Sequence, residues 1–268
     1  MQSNCNSSPE LMRAVALSKA YAQRRGLFGR GFAVEALCGV DFEIHRGSTM
    51  AIVGESGSGK SALAKCLAGI ETADRGEIWL EGRNLTAIPA ARRLAAFRAV
   101  QLVFQDSASS LNPGFTAEEI VAEPLVIERW GTASDRKLLA LNLIEQVGID
   151  AKSASRRPLE FSGGQRQRLA IARALALQPK LIILDEALSG LDLLTRSQIV
   201  DLLRELQAQQ GLTYLHITHD MDLARRWSDE VVAMRSGRIA ERRPPSLSHA
   251  PVLEPELADE PLPVRVGG

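Results

Sequence analysis

At 268 residues, 45% hydrophobic but only 4% aromatic, the chain can hold one large α/β domain or two modest ones around a mainly aliphatic core. Lys+Arg and Asp+Glu both number 32, so no net field exists to draw in nucleic acid or an acidic membrane surface. Three scattered cysteines, Cys5, Cys38 and Cys66, form neither a disulfide framework nor a spaced metal site, and read as free thiols of a reducing cytosol.

Met1 to Pro9 is polar with no apolar region behind it, which is not a signal-peptide pattern. No run approaches the ~20 apolar residues that span a bilayer. Work at a membrane would need other chains to hold this one there. Residues 13–48 read as short strands, with partial alternation from Ala36 to Ile44. The basic segment from Arg24 to Gly31 reads as a solvated loop, which beside a nucleotide could also help bind it. Thr49–Val53 is a short apolar run suited to a strand buried in a parallel sheet. Ala62 to Ala68 favours helix, with Gly69 placed as its C-terminal cap. Between roughly 115 and 160 the pattern turns helical, over Ala117–Glu128 and Asp135–Val147, as an insertion between parts of the sheet domain would. Leu181–Leu184 and Leu212–Thr218 are further strands. Between them Arg196–Gln209 is a helix with Ile199, Leu202, Leu203 and Leu206 on one face. Strands alternating with helices imply a mostly parallel, doubly wound α/β sheet. From Pro244 on, six prolines predict a disordered tail over 244–268.

Gly54-Glu55-Ser56-Gly57-Ser58-Gly59-Lys60-Ser61 fits G-x-x-x-x-G-K-[ST] and lies between a predicted strand and a predicted helix. The glycines let successive N–H groups turn inward onto phosphate oxygens, and the helix adds its positive end. Lys60 would reach the β- and γ-phosphates, and Ser61 would offer its hydroxyl to Mg²⁺. Further on, four apolar residues lead into Asp185-Glu186 at the carboxyl end of a strand, where ligands bind. Asp185 is the residue to hold Mg²⁺, and Glu186 the one to orient and polarise an attacking water.

Phe161-Ser162-Gly163-Gly164-Gln165, followed by a basic helix, resembles the signature motif of ABC ATPases. Alone, a Ser-Gly-Gly run would read as a helix cap. As chemistry it is a second anion site, made of the Ser162 hydroxyl, glycine N–H groups and a helix N-terminus. Other elements follow in the family's order. Gln105 resembles the glutamine that senses Mg²⁺ and the attacking water. Ser189-Gly190-Leu191-Asp192 resembles the loop that crosses the dimer interface. His219 resembles the histidine that contacts the γ-phosphate, while His216 reads as structural. Tyr21 is the candidate to stack on adenine, with Phe28 and Phe32 nearby. The resemblance covers about residues 12–243. It implies a P-loop, RecA-like core, an antiparallel β subdomain, and a helical subdomain over about 107–163.

The resemblance also implies two ATPase domains that meet head to tail, each ATP lying between one chain's phosphate loop and the other's signature. Phe104–Pro113 and Ile120–Leu125 resemble the region of dipeptide, oligopeptide and nickel importer ATPases that meets the permease. Such importers imply integral-membrane permease subunits and a second, different ATPase chain. They also imply a solute-binding protein acting indirectly, and a place on the cytoplasmic face of the membrane with no nucleic acid. The alternative is a soluble ATPase of this class in DNA repair or translation. Two departures stand out: Ala187-Leu188 follows the glutamate, and only a trace of the importers' C-terminal segment remains in Ser246–Leu253.

Overall fold

The computed structural model describes residues 9–24, 31–105 and 110–243. Two strands open the chain, β1 (Glu10–Arg24) and β2 (Gly31–His45), paired antiparallel. They correct the expectation of short strands, since each is 15 residues long. Register shifts around Ala14, Leu17 and Lys19 interrupt the pairing. Each irregularity swaps which face the next side chain takes, so the alternation in sequence breaks although the strand continues. β4 (Arg75–Leu80) and β5 (Arg83–Asn84) complete this sheet in the order β2-β1-β4-β5.

A second sheet has the order β10-β9-β3-β8-β7-β6, with β3 (Thr49–Val53), β6 (Val100–Phe104), β7 (Leu181–Asp185) and β8 (Thr213–Thr218) as its parallel strands. β9 (Glu230–Arg235) also runs parallel to β3 and turns back into β10 (Arg238–Arg243). This hairpin escaped the sequence reading. Its two-residue turn, Ser236-Gly237, has positive φ at both positions (46° and 73°), the twist that suits a tight hairpin.

Alternate side chains of the buried strands serve opposite faces. Leu181, Ile183, Leu215 and Ile217 join one core with the antiparallel sheet and α1 (Lys60–Leu67). Ile182, Leu184 and Tyr214 join another with α3 (Ala117–Ile127), α4 (Ala133–Gln146), α5 (Gly163–Leu175) and α6 (Leu193–Gln210). α2 (Ala90–Phe97) and α7 (Met221–Trp227) are further α-helices, and two short 3-10 turns lie at Ala151–Ser153 and Pro158–Glu160. Thr116 and Thr132 start α3 and α4 through reciprocal capping boxes with Glu119 and Asp135. Ile199, Leu202, Leu203 and Leu206 of α6 are buried as their spacing requires. Ala187 and Leu188, the departure noted above, are buried in the helical-side core. Their apolar character is thus a packing matter. Truncating a side chain such as Ile183, fully buried, would cost about 2–5 kcal/mol.

Candidate functional site

Strand pairing brings the predicted site residues to one edge. Val53 pairs with Thr218, Asp185 with Ile217, and Phe104 with Asp185. Gly54, His219, Glu186 and Gln105 each follow the end of one of these strands, so four loops share the carboxyl edge of a parallel sheet. That edge is where such sheets bind ligands.

The phosphate loop is held from three sides. Gly237 N–H donates to the Ser58 carbonyl at 2.9 Å, tying in the β9–β10 hairpin. A Cβ on Gly54 would lie 2.2 Å from the Met234 carbonyl oxygen. One on Gly59, whose φ is 104°, would lie 2.2 Å from the Ala36 carbonyl oxygen of β2. Only glycine fits either place. Lys60 is buried, and its ammonium donates to the carbonyls of Gly54 (2.7 Å) and Glu55 (2.8 Å). A cation therefore sits inside the loop, while Glu55, Ser56 and Gly57 face outward.

Ser61 Oγ donates to Asp185 Oδ1 at 3.2 Å. Burial raises the Asp185 carboxyl above the usual carboxylate range, opposed by the Ser61 hydrogen bond. A buried carboxylate beside a hydroxyl is a hard-oxygen pair, and their spacing is near the ~3 Å edge of an octahedron with Mg–O bonds of 2.0–2.1 Å. A Mg²⁺ held there would take its remaining oxygens from phosphates and water.

Glu186 has φ of 50°, a left-handed conformation that strains a non-glycine residue by about 1–3 kcal/mol. Its N–H donates to the Ile217 carbonyl, and its own carbonyl accepts from Ser189 N–H and Oγ, so neighbours on both sides enforce the turn. The carboxylate Oε2 lies 3.6 Å from Nδ1 of His219, an exposed imidazole. Three residues away His216 is the opposite case. It is buried against Trp227 with ring centroids 4.9 Å apart, and burial pushes its imidazole down to about 3.

Ser162, Gly163 and Gln165 are exposed at the start of α5. Ser162 Oγ accepts from Gln165 N–H (3.3 Å), and Gln165 Oε1 accepts from Ser162 N–H (3.0 Å). The hydroxyl proton is thereby left to donate elsewhere. Asp192 caps α6 by accepting the Thr195 N–H at 2.9 Å; the Thr195 side chain, and then this backbone bond, hold its carboxyl below the usual range. Leu193 and Leu194 follow it with 80% and 69% of their surface exposed. Sequence reasoning missed this pair because helix periodicity reports only the buried face.

Tyr21 pairs with Val34 on β2, two residues from the Ala36 that touches Gly59. Its hydroxyl donates to Glu71, and Lys19 Nζ lies 5.6 Å from its ring centroid. Phe28, Asp106–Ser109 and the tail from 244 on lie outside the described residues. Of the hairpin that braces the phosphate loop, the Ser-Gly pair at 236–237 was the available sequence signal.

A family model for ABC transporters matches residues 37–189. The chain belongs to the ABC transporter family. ATPases of this family hydrolyse ATP to power transport, and this chain is such an ABC cassette. It is 41% identical over 233 residues to the dipeptide transport ATP-binding protein DppF of Escherichia coli K12, covering 87% of this chain and 70% of that protein. The nickel import ATP-binding protein NikE of Rhodospirillum rubrum is 42% identical over 238 residues, covering 87% of the cassette and 84% of the relative. Among solved structures it resembles the dimeric, post-hydrolysis ATP-binding cassette MJ0796 bound to ADP and Pi. That match has a TM-score of 0.75 and 28% identity, and covers 87% of this chain and 98% of the other. These similarities favour the importer reading over a soluble role in repair or translation.

Proposed function

We propose that this cassette energises uptake of small peptides or nickel, on the cytoplasmic face of a membrane, paired with a second, different ATPase chain. The observation that carries the pairing is the contrast between a phosphate loop braced within the chain and a signature motif that is exposed and bonded to itself. In this reading the N–H groups of Gly54–Ser61 wrap the β- and γ-phosphates and Lys60 neutralises them. Tyr21 stacks on adenine. Ser61, Asp185 and Gln105 would hold Mg²⁺, which when bound would neutralise charge on the phosphate oxygens. Glu186 orients the attacking water, and His219 beside it contacts the γ-phosphate. Ser162–Gln165 and Asp192 complete the partner's site, and the partner's signature completes this one. Leu193 and Leu194 give the second cassette an apolar surface to cover. Hydrolysis dissolves the contact and resets the permease.

The permease reading is supported by a cavity of about 320 Å³ lined by Ile70, Phe97, Leu102, Pro124, Ile127 and Leu177, among others. Pro124 belongs to the Ile120–Leu125 stretch that resembles importer ATPases. None of the described helices is long and apolar enough to cross a membrane, so a permease would supply the spanning segments.

The test is ATP hydrolysis by the cassette reconstituted with its permease in proteoliposomes. Stimulation by a peptide-loaded solute-binding protein is expected, or by a nickel-loaded one if nickel is the solute. No response to either would sink the import reading. Size-exclusion chromatography of the Glu186→Gln chain with ATP addresses the pairing. A homodimer formed by this chain alone would overturn the heterodimer.

A further inference from the structure

Arg196, one turn into α6, plays no part in the site as described so far. Its Nη1 donates to Asp220 Oδ2 at 2.6 Å, a short charge-assisted bond, and its Nη2 donates to the Leu191 carbonyl at 3.1 Å. Its Nε is buried without a hydrogen-bond partner, so these two bonds constitute its hold. The Arg196 side chain is 22% exposed and that of Asp220 31%, which keeps the pair from being fully screened.

Both ends of this bridge lie next to residues of the ATP site. Asp220 directly follows His219. Its N–H donates to Thr218 Oγ1 (3.0 Å) and its Oδ1 accepts the Leu223 N–H (2.9 Å), so the backbone around His219 is fixed from both sides. Leu191 directly precedes Asp192. Thr195, the neighbour of Arg196, donates its N–H to Asp192 and lies against the signature motif. A Cβ on Gly164 would come within 2.4 Å of Thr195 Cγ2. Residues 195–196 thus touch the loop of His219, the loop of Asp192 and the first turn of α5.

We propose that Arg196 is a positioning residue that locks the half-site holding this chain's own ATP to the half-site this chain offers its partner. The proposal rests on the roles given above to His219, Glu186, Asp192 and the signature. A displacement of His219 that draws Asp220 with it is passed through the guanidinium to Leu191, and through Thr195 to Gly164. The hydrolysis state of one ATP is thereby felt at the face closing on the other. The fork of Arg suits this role because one planar group reaches two acceptors in different loops, which a lysine ammonium on a flexible stem does not.

The experiment uses the full chain, purified with the ATPase and permease subunits that accompany it. Arg196→Lys keeps the charge and loses the fork, and Asp220→Asn keeps the Oδ1 cap of α7 and loses the ion pair. Each is expected to lower kcat about tenfold through misplacement of the loops. The Hill coefficient for ATP should fall towards 1, with ATP Kd and Tm close to wild type. The double variant should be no worse than either single one, because both remove the same bond. Wild-type kcat and Hill coefficient in Arg196→Lys, or losses confined to Tm, would overturn the relay. Glu186→Gln in the same assay separates the two levels. If it is inactive while Arg196→Lys is normal, the relay alone fails; if it turns over like wild type, the site assignment falls and the relay with it.

Discussion

The phosphate loop and the signature motif are both proposed anion sites at helix N-termini, yet the protein builds them in opposite ways. The phosphate loop is braced by β2, by the β9–β10 hairpin and by a buried lysine bonded into its own backbone. Ser162–Gln165 has its own capping box and one close contact, from Gly164 to Thr195. A site finished within one chain can be buried and rigid. A site to be finished by a second molecule must stay on the surface and keep a donor free, as the Ser162 hydroxyl does.

The largest effect that would break this comparison is at the hydrolytic edge. Glu186→Gln is expected to reduce turnover by about 10²–10⁴-fold, the range for a residue that handles a proton in the transition state. ATP binding should stay intact and an ATP-bound dimer with the second ATPase chain should accumulate, which steady-state kinetics and chromatography of the two chains together read. Next, Lys60→Ala removes the cation inside the loop and should weaken ATP binding by about 10–100-fold, the worth of one charged hydrogen bond. An unchanged dissociation constant in an equilibrium titration would contradict the phosphate-loop assignment. Ser162→Ala sharpens the contrast, since the lesion lies on the face offered to a partner. It should leave the ATP Kd of the isolated chain unchanged, weaken ATP-dependent dimerisation, and cost about 1 kcal/mol of stability through the lost cap.

The smallest effect concerns His216, buried on β8 three residues before His219. Its imidazole is held down at about 3 against an ordinary value of 6.5, with burial as the main cause. The folded state therefore binds fewer protons than the unfolded one between these values. Stability is fully present above about pH 6.5 and falls as the pH drops towards 3, by up to roughly 1 kcal/mol per pH unit. Denaturant melts of His216→Phe should show a flatter acid limb than wild type. An identical limb would mean that His216 does not titrate on unfolding.

Much of the site was legible because its chemistry sits in contiguous runs. Gly54–Ser61, Asp185-Glu186 and Ser162–Gln165 each announce a backbone need together with a charge or a hydroxyl. The buried parallel strands were equally plain, since nothing else in the chain is so continuously aliphatic. What escaped depends on partners distant in sequence. The strands β1 and β2 hid behind their own bulges. The β9–β10 hairpin looked like an unremarkable end to the domain until Gly237 was found bonded to Ser58, 179 positions away. Arg196 entered the sequence reading only as the start of a helix, because only the fold sets Asp220 beside it. Leu193 and Leu194 lie off the apolar stripe of α6, and a stripe is what periodicity detects.

The left-handed backbone at Glu186 has a consequence for how such a chain can drift. Glycine or asparagine would relax that turn and make the folded chain more stable, while removing the carboxylate proposed to orient the water. Position 186 is therefore a place where selection for folding and selection for turnover pull apart. With the role proposed for Glu186, a descendant freed from hydrolysing ATP would gain stability by losing this glutamate.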